Sequence, residues 1–190
     1  MKKGKLIIIS GPSGVGKGTI REKILNDNKD IWYSISMATR SPRASEIDGK
    51  DYYFVSKEEF LTHIKNDNFI EYAEVYNGDL YGTPKDAIFK RLDQGSHVML
   101  EIDVEGALIV KEKYPEVILI FIVAPSMEEL ERRLVNRYTD TKEKIKERLE
   151  KAKIEITFKD RYDYVVINET VEGAANEITD IIKKEMNETV

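Results

Sequence analysis

The 190-residue chain contains no cysteine and only two histidines. That excludes a disulfide framework, a thiolate nucleophile and a thiolate metal site, and it fits a reducing interior. The histidines, His63 and His97, lie far apart, one on a helical stretch and one at a strand start. We read both as structural, because no Ser/His/Asp or metal-ligand cluster accompanies them. No apolar run approaches the length of a membrane span. The N-terminus, Met1-Lys2-Lys3-Gly4, resembles the start of a signal peptide, but the apolar run after it is too short and is broken by Ser10-Gly11-Pro12. Positive charge is not in excess either: 30 Lys and Arg against 35 Asp and Glu leave a net charge of −5. There is thus no global attraction to nucleic acid or to anionic membranes, and basic residues that matter must be placed locally. Internal repeats and low-complexity linkers are also missing. What remains, 41% hydrophobic and 34% charged residues, suits one compact domain with a substantial core.

The chain is organised around Gly11-Pro12-Ser13-Gly14-Val15-Gly16-Lys17-Gly18-Thr19. This stretch follows the apolar run Leu6-Ile7-Ile8-Ile9 and opens onto a helical pattern with Ile20, Ile24 and Leu25 on one face. Glycines let the backbone wrap closely around an anion, its N–H groups converge, and Lys17 adds a mobile charge. The pattern G-x-x-x-x-G-K between strand and helix predicts a phosphate-binding loop for a nucleoside triphosphate. Gly18 stands where a Ser or Thr usually reaches magnesium. Either Thr19 supplies that hydroxyl or the metal is held through water and phosphates.

Strands and helices alternate at both ends of the chain, which predicts a parallel sheet covered on both faces. Ligands then belong at the carboxyl ends of its strands, where Gly11, Ser36, Asp103, Pro125 and Asn168 lie. A strand is expected around Trp32 to Ser36. From about Asp30 to Gly82 the texture changes to short strands, a capping box at Ser56 to Glu59 and a hairpin signal at Asn77-Gly78, which predicts a small, mostly antiparallel unit. Thr83-Pro84 is expected to cap the next helix. A charged helix is expected from about Thr141 to Lys159, after an interruption at Arg137-Tyr138-Thr139-Asp140.

Arg40 and Arg43 flank Pro42, and two guanidiniums on a stiff turn can hold a second anion. Alone, they read equally as solvated surface residues. Tyr52 and the segment Tyr81-Gly82-Thr83 can add hydroxyls around the same anion. Glu71 interrupts an apolar strand. It is either a solvent-facing strand residue or a carboxylate that accepts the paired N–H donors of guanine, which adenine lacks. Asp103 ends an apolar strand and is favoured over Glu101, on the same face, to orient magnesium through water or to touch bound substrates. Arg132, Arg133, Arg137 and Arg148 lie on two helices that form a plausible lid, or else carry ordinary i,i+4 pairs with nearby glutamates.

With these residues in view, nearly the whole chain resembles a guanylate kinase. The resemblance rests on Gly11 to Thr19, and on Ser36-Met37-Ala38-Thr39-Arg40-Ser41-Pro42-Arg43 followed by Glu46, Gly49, Asp51-Tyr52 and Phe54. It continues through Phe69-Ile70-Glu71, Tyr81-Gly82-Thr83, Glu101 to Gly106, Arg133 with Arg137, and Tyr162 to Asn168. It implies an α/β fold: a parallel-sheet core at about 1–33, 84–128 and 160–190, a GMP-binding insert at about 34–83 and a helical lid at about 129–159. The implied reaction is ATP + GMP giving ADP + GDP with magnesium in the cytoplasm, with dGMP as a further candidate acceptor and no nucleic-acid or membrane partner. The resemblance assigns Arg40, Arg43, Tyr52, Tyr81 and Arg148 to the GMP phosphate, and Ser36, Glu71, Thr83 and Asp103 to the guanine. It assigns Lys17, Arg133 and Arg137 to the ATP phosphates and Asn168 to the neighbourhood of the adenine. Ala38, Ser45, Glu105 and Tyr138 depart from the family pattern, Tyr138 at the lid hinge. Two rival readings are a kinase for AMP or a pyrimidine nucleotide and a non-catalytic guanylate-kinase-like binding module. Glu71 with Ser36 argues against the first and Lys17 against the second.

Overall fold

A computed structural model describes residues 3–43, 46–75, 78–136 and 141–187. In chain order these form β1 (Leu6–Ser10), α1 (Lys17–Asp27), β2 (Ile31–Tyr33), β3 (Met37–Ala38), β4 (Tyr53–Phe54), α2 (Lys57–Lys65), β5 (Phe69–Val75) and β6 (Asp79–Pro84). There follow α3 (Lys85–Asp93), β7 (His97–Glu101), α4 (Val104–Lys113), β8 (Ile118–Val123), α5 (Met127–Val135), α6 (Lys142–Ile156), β9 (Tyr164–Ile167) and α7 (Val171–Asn187).

Five strands make an all-parallel sheet in the order β2-β7-β1-β8-β9. The continuous apolar run of β1 is what a strand covered on both faces requires. Its side chains alternate: Ile7 and Ile9 pack with Ile20, Ile24, Leu130 and Ile178 on one face, and Leu6 and Ile8 pack with Ile88, Leu92, Ala107 and Val110 on the other. The sheet is therefore sandwiched by α1, α5 and α7 on one side and by α3 and α4 on the other.

Four shorter strands form a second sheet in the order β4-β3-β6-β5. Two of its pairs are antiparallel and β3 runs parallel to β4, so the sheet is mixed. Its own core is small: Phe60 of α2 stacks on Phe69 with ring centroids 4.5 Å apart, and Leu80 completes the buried set.

The single strand expected at Trp32 to Ser36 is divided between the two sheets. Ile31–Tyr33 pairs with β7, Ser34 N–H still donates to Met99 O, and the chain then crosses to β3 in the second sheet. The cap expected at Thr83 is also different. β6 runs on to Pro84, which precedes α3 without a side-chain cap, and the Thr83 hydroxyl is directed at Glu71 instead. The charged helix stops at Ile156, and a short 3-10 turn covers Lys159–Arg161. Asn77 of the expected hairpin lies outside the described residues; Gly78 has φ 79°, the left-handed backbone that such a turn uses, and Val75 pairs with Asp79 across it.

Candidate active site

The loop between β1 and α1 is shaped by its backbone. Gly16, the residue before α1, has φ 94° and makes no side-chain cap, and the first turn of α1 contains no acid. The first N–H groups of α1 and the positive end of its dipole therefore have no anionic side chain to satisfy them, which suits a phosphate. Lys17 folds back so that Nζ donates to Gly11 O at 2.6 Å and Pro12 O at 3.0 Å.

The loop is braced from behind. The Asn168 amide, just after β9, donates to Val15 O at 2.7 Å, and a Cβ on Gly16 would lie 2.6 Å from that nitrogen. Arg133 of α5 donates to Glu129 at 2.7 Å, to Asn168 O at 2.9 Å and to Val15 O at 3.4 Å. Both residues, which the resemblance assigns to the nucleotide, contact the loop backbone or each other. Asn168 is buried and its Oδ1 has no protein partner among the described residues.

The second sheet builds the other half. Arg40 makes a two-pronged bond to Glu46 at 2.6 and 2.7 Å, donates Nε to Tyr81 Oη at 2.8 Å and packs over the Tyr52 and Phe54 rings. The Glu46 hydrogen bonds hold the Arg40 guanidinium well above its usual range, and the same bonds lower the Glu46 carboxyl. Arg43 is different: its side chain is 71% exposed, and its backbone N–H donates to Glu46 at 2.8 Å.

Glu71 is buried, which decides between its two sequence readings in favour of an inward carboxylate. Thr83 Oγ1 donates to its Oε1 at 2.6 Å, and Ser36 Oγ lies 3.0 Å from that same Thr83 hydroxyl. Gly106 makes room for it, since a Cβ there would meet Glu71 Oε2 at 2.9 Å. Burial pushes the Glu71 carboxyl up to about 7, against the opposing effect of the Thr83 hydrogen bond. Gly82, expected to contact ligand, is fully packed: a Cβ would fall 2.9 Å from Phe60 and 3.0 Å from Phe69. Asp103 caps α4, accepting from Gly106 N at 2.8 Å.

The two halves face each other across one cavity of about 280 Å³. Gly11, Ser13 and Lys17 line one wall, and Ser36, Tyr52, Glu71 and Tyr81 line the opposite wall. Glu101, Ile102 and Asp103 form the floor, at the carboxyl end of β7, and Arg148, Lys151 and Glu155 of α6 reach in from above. Burial raises the Glu155 carboxyl. Thr19 is outside this group and exposed, because the helical turn of α1 rotates it away from the side that Lys17 and Gly18 present. Arg137 and the Tyr138 departure lie outside the described residues.

Three contributors escaped the sequence reading. Arg21 joins Glu101 at 2.9 Å and Tyr33 at 3.0 Å; its one available signal was its position a single helical turn beyond Lys17. Glu46 stood in the motif without a role. Glu155 looked like one more charge on a solvated helix.

A family model described as guanylate kinase matches residues 3–185. The guanylate kinase of Clostridium tetani is 51% identical over 185 residues, spanning 97% of this chain and 88% of that protein. That of Lactococcus lactis is 51% identical and spans 97% and 89%. The crystal structure of guanylate kinase from Anaplasma phagocytophilum superposes with a TM-score of 0.83 at 39% identity, covering 99% of this chain and 89% of that one.

Proposed function

The chain belongs to the guanylate kinase family, and we propose that its central cavity performs that reaction with the residue roles given below. The enzyme transfers a phosphoryl group from ATP to GMP, giving ADP and GDP. The observation that carries the assignment of roles is that one cavity is lined by both the Gly11–Lys17 loop and the buried Glu71.

The Gly11 to Gly18 segment cradles the donor phosphates with backbone N–H groups, and Lys17 leaves its carbonyl partners to neutralise charge that builds during transfer. Across the cavity, ionised Glu71 accepts the ring N–H and exocyclic amine of guanine, with Ser36, Thr83 and Asp103 around it. Tyr52 and Tyr81 donate to the acceptor phosphate. Arg40 supplies positive charge and, through its bond to the Tyr81 hydroxyl, orientation; Arg43, being exposed, closes on the phosphate from outside. Arg148 approaches from α6, and residues of about 129–159 act as a lid that excludes water. The attacking phosphate oxygen is already ionised, so positioning and charge neutralisation suffice without a general base.

Magnesium is part of this proposal. Among the described residues no cluster of three or more His, Cys, Asp or Glu could cage a metal. The cavity floor offers the Glu101 and Asp103 carboxylates instead, which fits an ion bound chiefly by phosphates and water. Glu101 and Asp103 would hold such an ion through its water shell, and it would supply positive charge that offsets the phosphates. Thr19, the hydroxyl read from the sequence as the alternative to water and phosphates, faces solvent. No described helix is long and apolar enough to cross a membrane, and a cytoplasmic setting, where ATP is supplied, completes the reading.

An ADP-release assay over a panel of acceptors tests it. GMP should exceed AMP, UMP and CMP by at least about 100-fold in kcat/KM, because an unmatched base leaves the buried Glu71 unpaired. AMP or UMP turned over as fast as GMP would overturn the guanine assignment.

A further inference from the structure

The loop departs from its usual form at Gly18, and the structure shows what stands opposite. A Cβ placed on Gly18 would lie 3.9 Å from Glu101 Oε2, the one heavy atom within 4 Å of it apart from the neighbouring residues and the backbone of its own helix, among the described residues. The first turn of α1 therefore presents bare backbone toward a carboxylate that also lines the cavity.

That carboxylate is held by one residue. Glu101 ends β7, and its side chain is 20% exposed. Arg21 Nη1 donates to Glu101 Oε2 at 2.9 Å and to Tyr33 Oη at 3.0 Å, and the guanidinium carbon sits 4.6 Å from the centre of the Tyr33 ring. Burial pushes the Tyr33 phenol up to about 12, so it remains a neutral acceptor for Arg21. Arg21 itself is 17% exposed, and Glu22 lies 3.6 Å away at the rim. Glu101 Oε1 makes no hydrogen bond among the described residues. Lys17 and Arg21 are four residues apart on the same rigid helix, so the phosphate-binding lysine and the group that fixes Glu101 move together.

We infer that Arg21 is a positioning residue: it fixes the Glu101 carboxylate opposite Gly18, where the carboxylate receives the water shell of the magnesium ion that accompanies the donor nucleotide. Glu101 thereby takes over the task that a hydroxyl at position 18 would perform. The inference rests on the reaction proposed above. It differs from a purely structural ion pair in one respect, since it ties Arg21 to the metal and leaves the metal-free nucleotide unaffected. Outer partners of this kind typically change metal affinity by about 10–100-fold when removed.

Calorimetric titration of ADP, with and without magnesium chloride, separates the possibilities. In the wild-type chain magnesium tightens ADP binding. In Arg21→Met that tightening should fall by about tenfold or more, while metal-free ADP and GMP bind within about twofold of wild type, and in a Gly18→Ser background the same substitution should cost less than about threefold. Arg21→Met with full magnesium tightening overturns the inference. So does an equal loss of metal-free ADP and GMP binding, which marks a general prop, and so does an undiminished loss in the Gly18→Ser background. If Arg21→Met does not fold, Arg21→Lys is read in the same titration: it keeps the charge but serves one partner, so an intermediate loss supports the inference and wild-type tightening overturns it. A wild-type chain whose ADP binding ignores magnesium, or that fails the acceptor panel, removes the proposed function and this inference with it. A wild-type chain that passes both, beside an unaffected Arg21→Met, removes only the role of Arg21.

Discussion

The two walls of the cavity are built on different principles. The donor wall is backbone: a glycine-shaped loop at the end of β1, seated on a five-stranded sheet with packed layers on both faces. The acceptor wall is side chains: Ser36, Tyr52, Glu71 and Tyr81, drawn from four separate stretches of a small sheet whose own buried core is Phe60, Phe69 and Leu80. A backbone site grips any phosphate and tells little about the rest of the ligand. A side-chain site discriminates, because each buried polar group that the wrong ligand leaves unmatched costs free energy. Stability follows the same division. The donor wall sits on the two large buried clusters of the main sheet, whereas the acceptor wall rests on a small one and is expected to open more readily.

The sharpest way to break this contrast is Lys17→Met. Turnover should fall by at least about 1000-fold, since a preorganised charge on the transferring group is lost, while calorimetry still finds GMP bound with near wild-type affinity. Appreciable turnover in that variant would remove Lys17 from the reaction, and lost GMP binding would mean that the walls are not independent.

Glu71→Gln tests the other wall. The GMP KM should rise by about 100-fold with the ATP KM little changed, because one of two paired acceptors becomes a donor facing a donor. The wild-type carboxyl titrates near 7, so GMP affinity should weaken as pH falls below about 7, and the variant should lose this dependence. Stability runs the other way. The folded carboxyl holds its proton up to about 7 while the unfolded one releases it near 4.5. Between those values the folded state binds the extra proton and wild-type stability falls as pH rises. At pH 8, Glu71→Gln should therefore be more stable by as much as about 3 kcal/mol in urea titrations, since each pH unit between the two values costs the wild-type chain roughly 1.36 kcal/mol. An unchanged GMP KM, or no gain in stability at pH 8, would sink the buried-carboxylate reading.

A third effect concerns motion. Amide hydrogen exchange should be faster in β3 and β6 than in β1 and β8 by about 100-fold or more, and GMP should slow the former selectively. Equal protection in both sheets would erase the difference in rigidity.

Much of this was open to reading in the residues. The loop from Gly11 to Thr19 is contiguous, and its meaning lies in local backbone freedom plus one lysine, so strand, loop and helix were legible together. The alternation of Leu6 to Ile9 between the two faces followed from strand geometry alone. The family pattern added the order of the remaining site residues. Other features were not legible. Glu71 sat midway between surface residue and buried acceptor, and what resolves it is Gly106, 35 positions later, leaving the space its carboxylate fills. Thr83 looked like a helix cap until Glu71 proved to be its partner. The resemblance assigns Arg133 and Asn168 to the nucleotide, and it gave no sign that both also reach Val15 O behind the loop. A contact to a carbonyl more than a hundred positions away in the chain has no signature in residue type or spacing.

By itself the sequence determined the glycine-rich loop with its lysine and the parallel core around it, because those depend on neighbours in the chain and on periodicity. The tertiary structure alone decided which charges pair across the fold, with Arg40 on Glu46 inside the inserted loop and Arg21 on Glu101 between α1 and β7. A charged side chain can reach several partners. Which one it takes is set by burial and by distances between elements far apart in sequence, and these exist only once the sheets are packed.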